Sequence, residues 1–135
     1  MDKLSALRRS ANMQAIRNKN TKPELTVRRI VHSLGCQYRL HRKDLPGKPD
    51  LAFIGRQKAI FVHGCFWHQH PGCREGRLPK SNLAYWMPKL ARNVTRDDEN
   101  ERKLTEAGWK VLTLWECETH DHEQTAEKLK TFLLS

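Results

Sequence analysis

The first regular pattern of apolar positions along the chain is helical. Between Thr21 and Gly35, aliphatic residues recur every three or four positions, as on one face of a helix, at Val27, Ile30, Val31 and Leu34. Thr21 and Glu24 have the spacing of a capping box, Pro23 lies in the first turn, and Gly35 is placed to end the helix. We therefore predict an amphipathic helix over residues 21–35.

Extended patterns follow. Apolar and polar residues alternate over residues 36–40, which predicts a half-buried strand. Two short apolar runs, 51–54 and 59–62, flank Gly55 and Arg56 and are typical of a hairpin, which we place at the centre of a sheet. The run 109–115 is almost continuously apolar and predicts a buried strand.

Two further helices are predicted in the second half of the chain. One covers residues 82–107, where Pro88 either kinks the helix or starts its main segment and Gly108 ends it. The last has its apolar face at Ala126, Leu129, Phe132 and Leu133. The order α-β-β-β-α-β-α predicts an α/β fold with a mixed sheet flanked by helices. Residues 1–20 form a basic N-terminal arm and residues 21–135 a single domain.

Composition narrows the class of protein. The 135 residues include no apolar run long enough for a membrane span and begin without a secretory signal, so we expect a cytoplasmic monomer with no membrane association. The net charge of +10 is unevenly distributed: residues 1–96 hold 20 basic and 5 acidic side chains, and residues 97–135 hold 5 and 10. This asymmetry predicts one basic face that binds a nucleic acid.

Residues 64–80 form a long loop that is rich in Gly, Pro, Cys and His and almost free of aliphatic side chains. Such a loop requires an organising element, and a tetrahedral Cys3His set suits a structural Zn2+ at Cys65, His70, Cys73 and Cys117. His68 is an alternative ligand by spacing alone, and Cys117 could instead be an ordinary buried cysteine. Cys36 is predicted to be a small core residue.

A second metal site is predicted where Asp50 opens one hairpin strand beside the end of the other at His63. A carboxylate at that position is a suitable ligand for Mg2+. Many nucleases continue with an acid-x-Lys triplet, but this chain has Phe-Val-His at 61–63, so its chemistry would depend on His63 and His68. Glu24 would support metal-bound water. Each of three residues also has a purely structural interpretation. Asp50 could be a turn cap, His63 a polar residue at a strand end, and Glu24 only the acid of the capping box.

Large aromatic residues lie next to these sites. Phe66 and Trp67 are inside the metal loop, and Trp86 and Met13 lie in basic segments. They either pack as small cores or act as wedges between base pairs, where faulty pairing lowers the cost of insertion.

The motifs together resemble the very-short-patch repair (Vsr) DNA mismatch endonucleases. The most specific is the run Gly-Cys-Phe-Trp-His at 64–68 with Trp-Glu-Cys at 115–117, and the others lie at 9–16, 19–24, 45–50, 85–86, 91–97 and 108–111. The resemblance implies a restriction-endonuclease-like fold and a Mg2+-dependent nick 5′ to the mismatched T of a T:G pair, which initiates very short patch repair.

The resemblance also implies roles for individual residues. Asp50 and the backbone carbonyl of Val62 would bind Mg2+, His68 would be the general base, and Asp97 would orient His68. Metal-bound waters would be held by His63 and Glu24. The structural zinc ligands implied are the same four residues, although the spacing around His70 varies within the family, and position 62 is Thr in some members.

DNA containing a T:G mismatch is the implied partner, with mismatch-repair proteins as further candidates. Phe66, Trp67 and Trp86 would intercalate beside the mismatch while Met13 enters the opposite groove. Other DNA contacts are expected from Arg17, Lys19, Lys48 and Asn93. Two alternatives are a zinc-stabilised, non-enzymatic protein that binds distorted DNA and a related nuclease without mismatch preference.

Overall fold

A computed structural model describes residues 21–135 and arranges three helices around a four-stranded sheet in this range. The helices are α1, Lys22–Ser33; α2, Leu83–Glu106; and α3, His122–Leu133. The strands are β1, Arg39–Leu40; β2, Leu51–Phe53; β3, Lys58–His63; and β4, Lys110–Trp115. The sheet order is β1-β2-β3-β4, antiparallel except for the parallel pair β3 and β4. The predicted element order and mixed sheet are confirmed.

Local signals account for the helix ends. The hydroxyl of Thr21 accepts a hydrogen bond from the Glu24 amide at 3.3 Å, so the predicted cap of α1 is confirmed. Asp121 caps α3 in the same way through the amide of Gln124. Helix α2 begins at Leu83, ahead of Pro88, so the proline does not start its main segment. No helix within residues 21–135 is long and apolar enough to span a membrane.

The strands at the two sheet edges differ from prediction. Strand β1 is two residues long and both are exposed, so the strand predicted over residues 36–40 is wrong in extent and at Leu40, although Cys36 is buried and Tyr38 is half-buried as the alternation predicted. Cys36 reaches the core from the segment before the strand, as predicted for it. Strand β4 was expected to be buried, but only Leu114 is fully so, because this strand has one neighbour and a partly open face.

The helices cover both faces of the sheet. One core cluster joins α1 and α3 to the sheet through Val27, Val31, Leu51, Phe53, Ile60, Leu114, Leu129 and Leu133. The opposite face of β3 presents Ala59 and Phe61 to Leu104 of α2. This division follows from the alternation of side chains along a strand. It leaves His63, two residues after Phe61, on the α2 face.

The functional residues are brought together by strand direction. Because β2 and β3 are antiparallel, β2 begins, just after Asp50, at the end of the sheet where β3 terminates at His63. Strand β4 is parallel to β3 and ends there too, at Trp115. We call this end of the strands, defined by Asp50, His63 and Trp115, the convergent edge; the term does not refer to the outermost strands β1 and β4.

Candidate active site and metal cluster

Asp50 lies at the centre of the convergent edge. Its Oδ2 accepts a hydrogen bond from the Val62 amide at 2.7 Å. The N–H and C=O of one residue in a strand point to the same side, so the Val62 carbonyl also faces the β2 side. Burial, reinforced by the nearby negative charge of Glu24, raises the pKa of Asp50 to about 7 although the Val62 amide opposes the shift. Two adjacent carboxylates in a poorly solvated place suit a hard divalent cation.

Glu24 is almost fully buried, with 2% of its surface exposed. Its carboxylate forms an ion pair with Arg28 one turn along α1 and a 2.8 Å hydrogen bond with Nε2 of His41. The potential ligand atoms of Glu24, His41 and Asp50 all lie within 4.8 Å of one another. The structure therefore brings Glu24 to Asp50, as predicted, and adds His41 and Arg28.

Sequence reasoning missed His41. The amide of His41 donates to the Asp50 carbonyl at 3.3 Å, one step beyond the pairing of Leu40 with Leu51. This position could have been found from the β1–β2 register, but the intervening residues 42–49 leave that register undetermined in the sequence.

His68 and Asp97 form a second group on the α2 side of the convergent edge. Nδ1 of His68 is 2.5 Å from Oδ2 of Asp97. A carboxylate only accepts, so Nδ1 carries a proton, and in the neutral ring the lone pair then lies on Nε2. The ring of His63 stacks on His68 with centroids 3.8 Å apart. Burial, with a smaller contribution from His68, lowers the pKa of His63 to about 3, so His63 is neutral at physiological pH.

The Cys and His side chains predicted for zinc are gathered in one place. One ligand atom from each lies within 4.8 Å of the others, and the members are Cys65, His70, Cys73 and Cys117. Nδ1 of His70 is 3.4 Å from the sulfur of Cys117 and 3.7 Å from that of Cys65. Tetrahedral zinc with ordinary bond lengths separates a sulfur from a nitrogen ligand by roughly 3.6 Å. The donor set therefore fits Zn2+, and His68 lies with Asp97 instead.

The surroundings of this cluster act on the cysteine thiols in two opposite ways. Burial raises the pKa of the Cys65 thiol to about 12 and raises the pKa of Cys117. Coordination would reverse this, since a metal-bound thiol is deprotonated. The Cys117 amide points at the Cys65 sulfur at 3.4 Å, as expected for a donor to a thiolate. The ring of His70 stacks on Trp115 with centroids 4.2 Å apart.

The aromatic residues of the metal loop pack against helix α2. Phe66, Trp67 and Trp86 are half-buried and contact one another edge to face, with centroids 5.2–5.6 Å apart. Nδ2 of Asn93 donates to the Trp67 carbonyl at 3.0 Å, and Lys89, which sequence reasoning missed, lies over the Trp67 ring.

The structure describes only one of the four other residues that were predicted to contact DNA. Lys48 is exposed in the loop before Asp50. Met13, Arg17 and Lys19 lie outside the described residues.

The convergent edge holds a carboxylate, Asp50, and a histidine, His68, that is held by a second carboxylate. In a chain of net charge +10, these groups are typical of phosphodiester-cleaving nucleases. The sequence matches the family DNA mismatch endonuclease Vsr over residues 1–74. It is 35% identical to DNA mismatch endonuclease Vsr of Escherichia coli strain K12, over 91% of this chain and 78% of the relative. The chain belongs to this Vsr family.

Two other relatives carry a different description. Type II nicking enzyme V.XorIIP of Xanthomonas oryzae pv. oryzae is 51% identical over 98% of this chain and 96% of the relative. Type II nicking enzyme V.NmeAIP of Neisseria meningitidis serogroup A is 39% identical over 95% of this chain and 91% of the relative.

Proposed function

We propose that the protein is a Mg2+-dependent endonuclease with a restriction-endonuclease-like core that nicks one DNA strand 5′ to the mismatched T of a T:G pair. The observation that carries this proposal is the position of Asp50, bonded to the Val62 peptide and close to Glu24 at the convergent edge that also holds His68 and Asp97. The relatives named as a mismatch endonuclease and as nicking enzymes support it.

The metal-binding residues would be Asp50 and the Val62 carbonyl, with Glu24 and His63 holding waters. When bound, Mg2+ would stabilise the negative charge of the phosphoryl oxygens and of the leaving group. Because its burial keeps His63 neutral, this residue can exchange hydrogen bonds with water without adding a second positive charge.

His68 would be the general base. Its Nδ1 proton is held by Asp97, so Nε2 can accept the proton of the attacking water. The Asp97 carboxylate would then stabilise the imidazolium that forms, without taking the proton itself.

The Cys3His cluster would hold a structural Zn2+. With four protein ligands it leaves no open position for chemistry. Its function would be to fix the loop that carries His68 and the aromatic residues, which has few aliphatic side chains to hold it.

The basic part of the chain would bind double-stranded DNA as a monomer, and Phe66, Trp67 and Trp86 would enter the base stack. Inserting a wedge costs a few kcal/mol per step, and the cost is lowest where pairing is already faulty. Selection of a T:G pair would follow from this difference.

The direct test compares two duplexes of identical sequence that carry T:G or T:A at one position. We expect nicking 5′ to the mismatched T, about a hundredfold faster than at T:A, because the saved unpairing energy is a few kcal/mol. Nicking is measured with Mg2+ and with Mg2+ omitted, since a strong chelator would also remove zinc. Equal rates on both duplexes would remove the mismatch preference, and tight T:G binding without nicking would show a non-enzymatic binder.

His68→Gln is expected to lower the single-turnover nicking rate by about 10²–10⁴, the usual contribution of a general base. Asp97→Asn should also lower it, since an amide nitrogen opposite Nδ1 favours the wrong tautomer. The double variant should be no slower than His68→Gln, because the two residues act as a unit. His122→Gln, at an exposed histidine at the start of α3, is the matched control. Additive losses would argue against the pair.

Trp86→Ala is expected to weaken binding to the T:G duplex by about tenfold, since stacking of a base on an aromatic ring is worth about 1–3 kcal/mol. Affinity for the T:A duplex should change little. Trp109→Phe is the control, since Trp109 is partly buried and packs against the core cluster that contains Leu104. Fluorescence anisotropy with both duplexes measures the effect, and an equal loss on both would show that Trp86 only packs the loop.

A further inference from the structure

His41 connects the two carboxylates of the candidate magnesium site to the edge of the sheet. We propose that His41 is a positioning residue that holds the Glu24 carboxylate beside Asp50 and thereby increases the affinity of the site for a divalent cation. The inference rests on the proposed function, because the proposed function assigns the cation to Asp50.

The contacts define this role. Nε2 of His41 is 2.8 Å from Oε2 of Glu24 and 4.0 Å from Oδ1 of Asp50. The His41 backbone is tied to the same place, since its amide donates to the Asp50 carbonyl at 3.3 Å. The His41 side chain therefore contacts Glu24 directly, whereas the Asp50 carboxylate lies beyond its hydrogen-bond distance.

Arg28 is a further partner of Glu24, but it does not supply the same link. Arg28 lies on α1, four residues after Glu24, so their ion pair is internal to the helix. It holds the Glu24 carboxylate to the helix wherever the helix lies. The bond to His41 joins the helix to β1 and β2, and so it helps to set where the carboxylate stands relative to Asp50.

A buried carboxylate that loses a contact between its helix and the sheet is less firmly oriented. Its water-holding function at the metal would then require it to be ordered when the cation binds, and part of the binding free energy would be lost. Partners that orient metal-site groups typically change metal affinity by about 10- to 100-fold. We expect a loss in this range when the His41 bond is removed.

The test uses Mn2+ as a paramagnetic probe of the zinc-loaded protein without DNA, so that binding is measured apart from nicking. His41→Leu removes the donor and should raise the Mn2+ Kd about tenfold. His41→Gln places an amide N–H near the position of Nε2 and should restore most of the affinity. His32→Gln, at an exposed histidine near the end of α1, is the matched control. In nicking assays, the half-saturating Mg2+ concentration should rise in His41→Leu more than the saturated rate falls.

Several results would overturn the inference. One is an unchanged Mn2+ Kd in His41→Leu, and another is an equal loss of Mn2+ affinity in His41→Leu and His41→Gln. A third is a nitrogen coupling to Mn2+ that disappears in His41→Leu, because it would make His41 a direct ligand. Circular dichroism checks folding, and if His41→Leu does not fold, His41→Asn replaces it, because its amide is too short to reach Glu24. If Asp50→Asn binds Mn2+ as the unaltered protein does, the proposed function fails; if only Asp50→Asn loses binding, this inference alone fails.

Discussion

Asp50→Asn is expected to lower the nicking rate at saturating Mg2+ by about a thousandfold or more. The amide has nearly the same shape and its oxygen can still accept the hydrogen bond from the Val62 amide, so the fold should be kept. The negative charge that binds the cation is lost. A catalytic metal supplies several kcal/mol of charge stabilisation in the transition state, and each 1.4 kcal/mol is about tenfold in rate.

The matched control is Asp44→Asn. Asp44 belongs to the same loop but is exposed and pairs with Arg42, so its loss should leave the rate within about twofold, as is usual for a surface ion pair. Single-turnover nicking of the T:G duplex gives the rate, and thermal unfolding confirms that both variants are folded. A rate for Asp50→Asn close to that of the unaltered protein would make Asp50 a turn cap.

Cys65→Ser is expected to abolish stoichiometric zinc binding and to lower the thermal unfolding midpoint by about 10 °C or more. Cys65 is a completely buried member of the Cys3His cluster. Structural zinc binds finger peptides with about 10–16 kcal/mol, which is comparable to the total stability of a domain. A loss of only about 3 kcal/mol would already give such a shift in a chain of this size.

Cys36→Ala separates metal binding from packing. Cys36 is also buried, but it packs in the core beneath α1 and α3 and lies outside the cluster. We expect full zinc content with a modest destabilisation, in the range of about 1 kcal/mol typical of point variants. Zinc per chain is measured by atomic emission after dialysis. Full zinc content in Cys65→Ser would contradict the cluster assignment.

The elements that rest on local patterns were predictable. The stripe through Val27 and Val31 predicted the buried face of α1, and the hairpin runs predicted β2 and β3 as the inner strands. The edge strands were misjudged because exposure of a strand depends on how many neighbours it has. That number is a property of the whole sheet and has no local sequence signal.

The candidate site shows the same division. Asp50 and His63 were identifiable because they stand at the ends of recognisable strands. His41 was not, because its place opposite Asp50 depends on a strand register that the loop between them does not specify. Asp97 entered only through family resemblance, since it is 29 residues from His68 and on a different element.

The amino-acid sequence by itself determined the order of the elements, the separation of basic and acidic segments and the presence of a Cys3His donor set. Only the tertiary structure decided which histidine joins the cysteines. Gln69 adopts the left-handed conformation, with φ of +52°, between His68 and His70. In this loop the two histidines, though only two residues apart, therefore reach different partners: His70 reaches the sulfurs of Cys65 and Cys117, and His68 reaches Asp97. Spacing in an irregular segment does not specify direction, because direction depends on backbone dihedrals that the packed fold selects.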